Sequence, residues 1–145
     1  MATIGFYHLT RTSLEKALPQ LLSRTLAAGH RAVILSGDPG KLASLDNVLW
    51  EVPDWLPHGT EQSGDADLQP IWLTAADEAP NGAQYLFLVY GGQSERLDQF
   101  ERVFDLFDGN DPASVEAARL RWQAAKAAGH ALTYWQQGNR GWEAR

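Results

Sequence analysis

Residues 32–35, Ala-Val-Ile-Leu, form an uninterrupted apolar run between Gly29 and Pro39. A short continuous run of this kind fits a strand covered on both faces, as in a parallel sheet with helices packed against it. The flanks agree. Residues 3–9 (Thr-Ile-Gly-Phe-Tyr-His-Leu) are β-branched and aromatic and read as a first strand. Ser13 is placed to cap a helix in which Leu14, Leu18, Leu21, Leu22 and Leu26 follow helical spacing, and Gly29 to end it. Pro39 opens a second helix carrying Leu42, Leu45, Val48 and Leu49. Strand, helix, strand, helix at this spacing is a βαβ unit.

The remainder continues the alternation after a break. Residues 53–70 hold Pro53, Pro57, Gly59, Gly64 and Pro70 and read as a long irregular loop. Residues 71–73 and 85–90 read as two more strands. Residues 94–106 place Leu97, Phe100, Val103 and Phe104 at helical spacing, which predicts a helix there. Asp111-Pro112 is an N-cap followed by Pro at the first helical position, opening a helix to about residue 128, which Gly129 closes. Residues 131–135 form a final strand. The expected fold is α/β: a single-domain, Rossmann-like open sheet over 1–145, mostly parallel, with helices on both faces.

At 145 residues the chain suits one domain with a real hydrophobic core. With no cysteine it has no disulfide, zinc knuckle or thiol nucleophile. The start of the sequence lacks a signal-peptide pattern and no segment approaches a membrane span, so a cytoplasmic, membrane-free protein is expected. The net charge of −6 argues against a chain that coats nucleic acid along its whole surface. The charge is uneven. Residues 1–111 hold 7 Lys+Arg against 16 Asp+Glu, and residues 112–145 hold 5 against 2, so a body of −9 carries an end of +3. That end suits an anionic partner, or is a solvated helix face.

No catalytic constellation, metal site or cofactor site emerges. Gly37-Asp38-Pro39-Gly40-Lys41-Leu42 lies where a phosphate loop would, but two residues separate its glycines and Leu42 follows the lysine. It reads as a tight turn. His8, His30, His58 and His130 lack metal-ligand spacing. No Gly-x-Ser-x-Gly elbow supports a nucleophile.

The helix at 112–128 says more. Val115, Arg119, Trp122 and Lys126 fall on one stripe, bordered by Gln123. One reading is a ligand site for a bulky apolar group beside negative charge, such as a peptide ending in an aromatic residue, whose carboxylate an Arg can hold bidentately. The other is that Trp122 packs inward while the cations snorkel over it. A second cluster, Trp50, Trp55, Leu56 and Pro57, flanks the irregular loop and either plugs the core or awaits a partner.

Several short motifs keep a common order. They are Phe6-Tyr7-His8-Leu9, Leu49-Trp50, Leu56-Pro57-His58-Gly59, Gln69-Pro70-Ile71-Trp72-Leu73 and Phe104-Asp105-Leu106-Phe107-Asp108. The most specific run is Arg121-Trp122-Gln123 with Lys126, Gly129-His130 and Leu132-Thr133-Tyr134-Trp135-Gln136-Gln137. With these the chain resembles, over nearly its whole length, the chi subunit family of the bacterial DNA polymerase III holoenzyme. The resemblance implies a clamp-loader accessory subunit with a Rossmann-like fold, no enzymatic activity and no nucleotide. It also implies two partners: the acidic C-terminal tail of single-stranded DNA-binding protein, ending in proline and phenylalanine, and the psi subunit. DNA is then met only indirectly.

In the family the tail lies on the basic C-terminal helix. Its key arginine matches Arg119 and a neighbouring aromatic matches Trp122. Two family lysines match Val115 and Gln123, a departure that leaves Arg121 and Lys126 to compensate. The psi-binding aromatics fall on Trp50 and Trp55, beside Leu56 and Pro57. Two alternatives stay open: an α/β protein binding a small molecule or nucleotide at its strand ends, and a direct single-stranded DNA binder, against which the acidic body argues.

Overall fold

The computed structural model describes residues 2–53, 56–139 and 141–145. Eight strands form one open sheet: β1 Thr3–Leu9, β2 Ala32–Ser36, β3 Gly59–Thr60, β4 Ile71–Thr74, β5 Tyr85–Val89, β6 Arg102–Asp108, β7 Ala131–Gly138 and β8 Gly141–Ala144. Their order is β3-β4-β2-β5-β6-β1-β7-β8. Only β7 and β8 pair antiparallel; the other neighbours are parallel. Three helices cover it: α1 Leu14–Ala27, α2 Leu42–Glu51 and α3 Pro112–Ala127.

The apolar run at 32–35 is buried at every position, as a strand between two helical layers must be. On one face Leu18 and Leu22 of α1 and Leu45 and Leu49 of α2 pack on Ile34, Leu73, Phe87 and Leu106. On the other, Ala118 and Ala125 of α3 sit against a layer that includes Phe6, Val33, Leu35 and Leu88. The expected α/β sheet, mostly parallel with helices on both faces, is the observed one. Among the described residues no helix is long and apolar enough to cross a membrane.

The helix expected over 94–106 is not there. Leu97–Gln99 make one 3-10 turn and Arg102–Asp108 form β6, between β5 and β1. The apparent helical spacing arises because β6 is covered on both sides. Phe104 and Leu106 enter the α1–α2 layer, while Val103 and Phe107 enter the α3 layer. A strand that is apolar on both faces loses its two-residue alternation, and periodicity cannot identify it. The strand expected over 85–90 ends at Val89, where Tyr90 takes a positive φ of 50°. The last strand runs on to Gly138 and pairs antiparallel with β8, which the sequence did not announce. Among the described residues of 53–70, the regular elements are the two-residue β3 and a 3-10 turn at Ala66–Leu68.

β6 carries one charge inward. Asp105 is buried on the α3 side, and Arg121 donates to both of its carboxylate oxygens, at 2.7 and 2.9 Å. Burial pushes the Asp105 carboxyl above its ordinary range against the opposing pull of Arg121. Removing one partner of such a pair leaves a buried charge alone, which costs about 3–5 kcal/mol. Arg121→Ala is therefore expected to lose stability of that order in urea unfolding, while Arg119→Ala leaves the midpoint essentially unchanged.

Candidate functional site

Helix α3 meets the sheet along Ala118 and Ala125, both buried. Successive helical residues turn by about 100°, so the two flanks of that seam carry different side chains. One flank holds Arg121, turned to Asp105. The other holds Val115, Trp122, Arg119 and Gln123, which line a groove of about 350 Å³ between α3 and the sheet. Its sheet side is built by Phe6 and His8 of β1, Phe107 of β6 and Tyr134 of β7.

The walls are aromatic and fix one another. Trp122 stands edge-on to Phe6 (5.2 Å between centroids) and to Tyr134 (5.9 Å). Trp122 thus packs inward and also borders the groove. His8 Nδ1 lies 2.6 Å from the Tyr134 hydroxyl. His8 Nε2 is buried and makes no hydrogen bond. The ring is seated against Gly109, where a Cβ would come within 2.0 Å of it.

The rim is cationic. Arg119 is 72% exposed and its contact with Glu116 is long, 3.8 Å, between two exposed groups. Such a pair is worth little and leaves the guanidinium available. Arg145 lies beside the Tyr134 wall: its backbone N–H donates to the Tyr134 carbonyl, and its side chain contacts Glu143 at 3.4 Å. Burial pushes the Tyr134 phenol up, and both Arg119 and Arg145 pull it back.

The expected residues divide. Val115, Arg119, Trp122 and Gln123 come together in the groove. Arg121 does not, because the sheet holds it on the opposite flank. Lys126 is exposed on the groove flank, but lies about 10 Å further along the axis than Arg119, at 1.5 Å rise per residue. Phe6, His8, Phe107, Tyr134 and Arg145 were not anticipated. They come from three strands and the residue after β8, and only the strand order brings them together.

In the second cluster Trp50 is 58% exposed. It rests on the buried His58 ring at 4.3 Å, and His58 is held by the Leu56 carbonyl and Asp46. Leu56 is a core residue, and Pro57 is half-buried. Trp55 lies outside the described residues.

Two features bear on nucleotide binding. In Rossmann-type folds the first strand-to-helix turn aims backbone N–H groups at a phosphate. Here the N–H groups of Thr10, Arg11 and Thr12 all donate to Gln137 Oε1, at 2.8–3.1 Å. Gly37, in the loop that imitates a phosphate loop, is needed for close packing: a Cβ would meet the Tyr90 carbonyl oxygen at 2.5 Å. A larger cleft of about 580 Å³ lies beside α2 and β4; its lining includes Asp46 and Glu61 and no Lys or Arg. Among the described residues, no three His, Asp or Glu side chains gather as a metal site.

Fold and groove together define an α/β protein with a ligand-sized aromatic groove, rimmed by arginine, at one helix–sheet junction. Residues 1–133 match the family described as DNA polymerase III chi subunit, HolC. The chain belongs to that family. A relative from Rickettsia prowazekii (strain Madrid E), named probable DNA polymerase III subunit chi, is 24% identical over 109 residues. That stretch is 74% of this chain and 66% of the relative, so the chain spans just under two thirds of the relative's length.

The groove depends on the seat beneath His8. Gly109→Ala is expected to lower stability by about 1–3 kcal/mol through overpacking. Thermal melts report the loss, and NMR shifts of the His8 and Tyr134 rings report their displacement.

Proposed function

We propose that this chi-family protein is a non-enzymatic adaptor of the replicative polymerase. It takes the acidic C-terminal tail of single-stranded DNA-binding protein into the α3 groove and links it to the clamp loader. The observation that carries the reading is one aromatic groove of about 350 Å³ with the exposed Arg119 guanidinium on its rim. A terminal phenylalanine offers the matching pair of groups. Its ring enters between Trp122, Phe107 and Val115, and its carboxylate meets Arg119. Acidic residues upstream lie toward Lys126.

The energies suit a transient contact. Hydrogen bonds to charged groups contribute about 1.5–3 kcal/mol each, and burial of a Phe side chain roughly 1.5–3 kcal/mol. After the cost of association, micromolar affinity results. Several tails on one single-stranded DNA-binding oligomer raise it through multivalency. Val115 and Gln123, in place of family lysines, leave Arg119 with a larger share of the charge recognition.

The link to the clamp loader is assigned to the psi subunit through Trp50. A large ring more than half exposed, held from beneath by His58, is suited to be an anchor in a partner's pocket. Pro57 borders it. Leu56 acts from inside, as part of the core that holds the loop.

Calorimetric titration with a tail peptide tests the first contact. Arg119→Ala is expected to weaken binding about tenfold or more, equivalent to ~1.4 kcal/mol. Removing the terminal Phe should abolish measurable binding, and added salt should weaken it by screening. Equal affinity of wild type and Arg119→Ala would sink the assignment. For the second contact, Trp50→Ala should lose co-purification with psi while keeping tail-peptide affinity.

A further inference from the structure

A second cavity, about 330 Å³, opens beside the C-terminal half of α1. It lies on the sheet face opposite the α3 groove: Tyr7 and Phe104 at its base belong to the α1–α2 layer, and Trp135 and Trp142 pack against that layer. The Tyr7 ring folds back over Gly5, where a Cβ would approach it to 2.8 Å. It stacks with Phe104 at 5.4 Å and with Trp135 at 6.3 Å, the latter nearly parallel at 15°. Trp142 of β8 stands edge-on to it at 5.0 Å.

The charges are one-sided. Arg24 and Arg102 line the cavity, and no Asp or Glu does. Both are exposed, and among the described residues neither is in an ion pair. Arg102 lies over the rings of Phe104 (4.7 Å) and Tyr85 (5.7 Å) and also donates to the Tyr7 hydroxyl; a guanidinium carries five N–H groups, so others stay available to an anion. In a chain of net charge −6 this is a local reversal of sign. Trp135 and Trp142 lie beyond residue 133, where the family match ends.

We infer that this cavity holds nucleotides of single-stranded DNA, with bases on Trp135 and Trp142 and phosphates on Arg24 and Arg102. Single-strand binders pair stacking rings with cations in this way, and the stacking tolerates any base because each has a π-face. Tyr7 and Trp135 are directly opposite in the β1–β7 register, so the rings form a platform across adjacent strands. Sheet modules that bind single strands use the same device. The volume falls within the range of small-ligand sites, roughly 300–1,000 Å³. Thr25, the one hydroxyl amino acid of the lining besides tyrosine, donates to the Leu21 carbonyl. Base edges are therefore little read, and the contact is sequence-tolerant. It is also weak, because the acidic body opposes it.

This inference does not rest on the tail contact, which uses the other face. Fluorescence anisotropy of a labelled oligothymidylate, titrated with the full chain at low salt, tests it. Saturable binding is expected, with log affinity falling against log salt at a slope of about −1.4, for two phosphates at about −0.7 each. Arg24→Ala and Arg102→Ala should each weaken binding and bring the slope to about −0.7. Trp142→Ala should weaken it about tenfold by removing a stacking ring. Arg24→Ala should retain wild-type affinity for the tail peptide. Arg24 is an exposed helical residue, so this variant keeps the test valid should Trp142→Ala melt early. Absence of binding to wild type at low salt, or equal binding by the arginine variants, overturns the inference. So does an acidic Phe-terminated peptide that displaces the oligonucleotide and loses affinity in Arg24→Ala, since the cavity would then be a peptide site.

Discussion

Helix α3 is fixed to the sheet by very little apolar surface. Only Ala118 and Ala125 of its residues are buried, with Val115 and Trp122 partly so. The Arg121–Asp105 pair supplies what the alanines lack, a specific rotation and position for the helix. A buried ion pair is weak evidence for net stability. It is strong in setting geometry, because any other rotation leaves Asp105 buried without a partner. Arg119 lies two residues back, about 200° around the axis. Drawing Arg121 inward on one flank therefore sends Arg119 to the other, onto the rim of the groove. The two arginines differ in role because the helix cannot turn both the same way.

The same economy governs the sheet. β1 and β7 are in register, Phe6 opposite Tyr134 and Tyr7 opposite Trp135. Side chains alternate between faces at each step along a strand. Phe6 and Tyr134 therefore build the α3 groove, while Tyr7 and Trp135 build the cavity beside α1. Two consecutive aromatic pairs line two cavities back to back. A one-residue slip of β7 would send each ring to the opposite face and break up both pairs. Gln137 guards against that slip. It is near the end of β7 and binds three N–H groups of the turn after β1. Its carbonyl also accepts from the Thr10 hydroxyl.

Much of this was legible in the residues. The buried run at 32–35, the leucine spacing of α1 and the Asp111-Pro112 start of α3 each report a local requirement, and each was met. Asp111 accepts from the Ala113 N–H as a cap should. Local pattern cannot separate β6, a doubly buried strand, from a helix; the parallel pairings that decide it lie with β5 and with β1, the latter about a hundred residues away. The groove was half legible for the same reason. Helical spacing groups Val115, Arg119 and Trp122, but nothing local brings Phe6, Phe107 and Tyr134 to them. Charge alone groups Arg121 with Arg119, but its helical angle places it on the far flank. Proximity in sequence groups Leu56 with Trp50, but one faces the core and the other solvent.

Placement of charge, rather than its total, decides what this acidic chain can hold. Cations with close partners, such as Arg121 with Asp105, fix the geometry of the fold and contribute little field outward. Arg119, Arg24 and Arg102 are exposed, and each borders an aromatic cavity. The surrounding carboxylates are not neutral in this. They lower the affinity of any extended anion that spreads beyond the cavity mouth, because screening leaves repulsion effective only within about 8–10 Å. A short anionic group with its own ring meets the arginine and little else. A long polyanion meets the arginine and then the acidic body. On the proposed readings, this placement favours compact, ring-bearing ends and short single-stranded segments over duplex backbone, without any residue that rejects duplex directly.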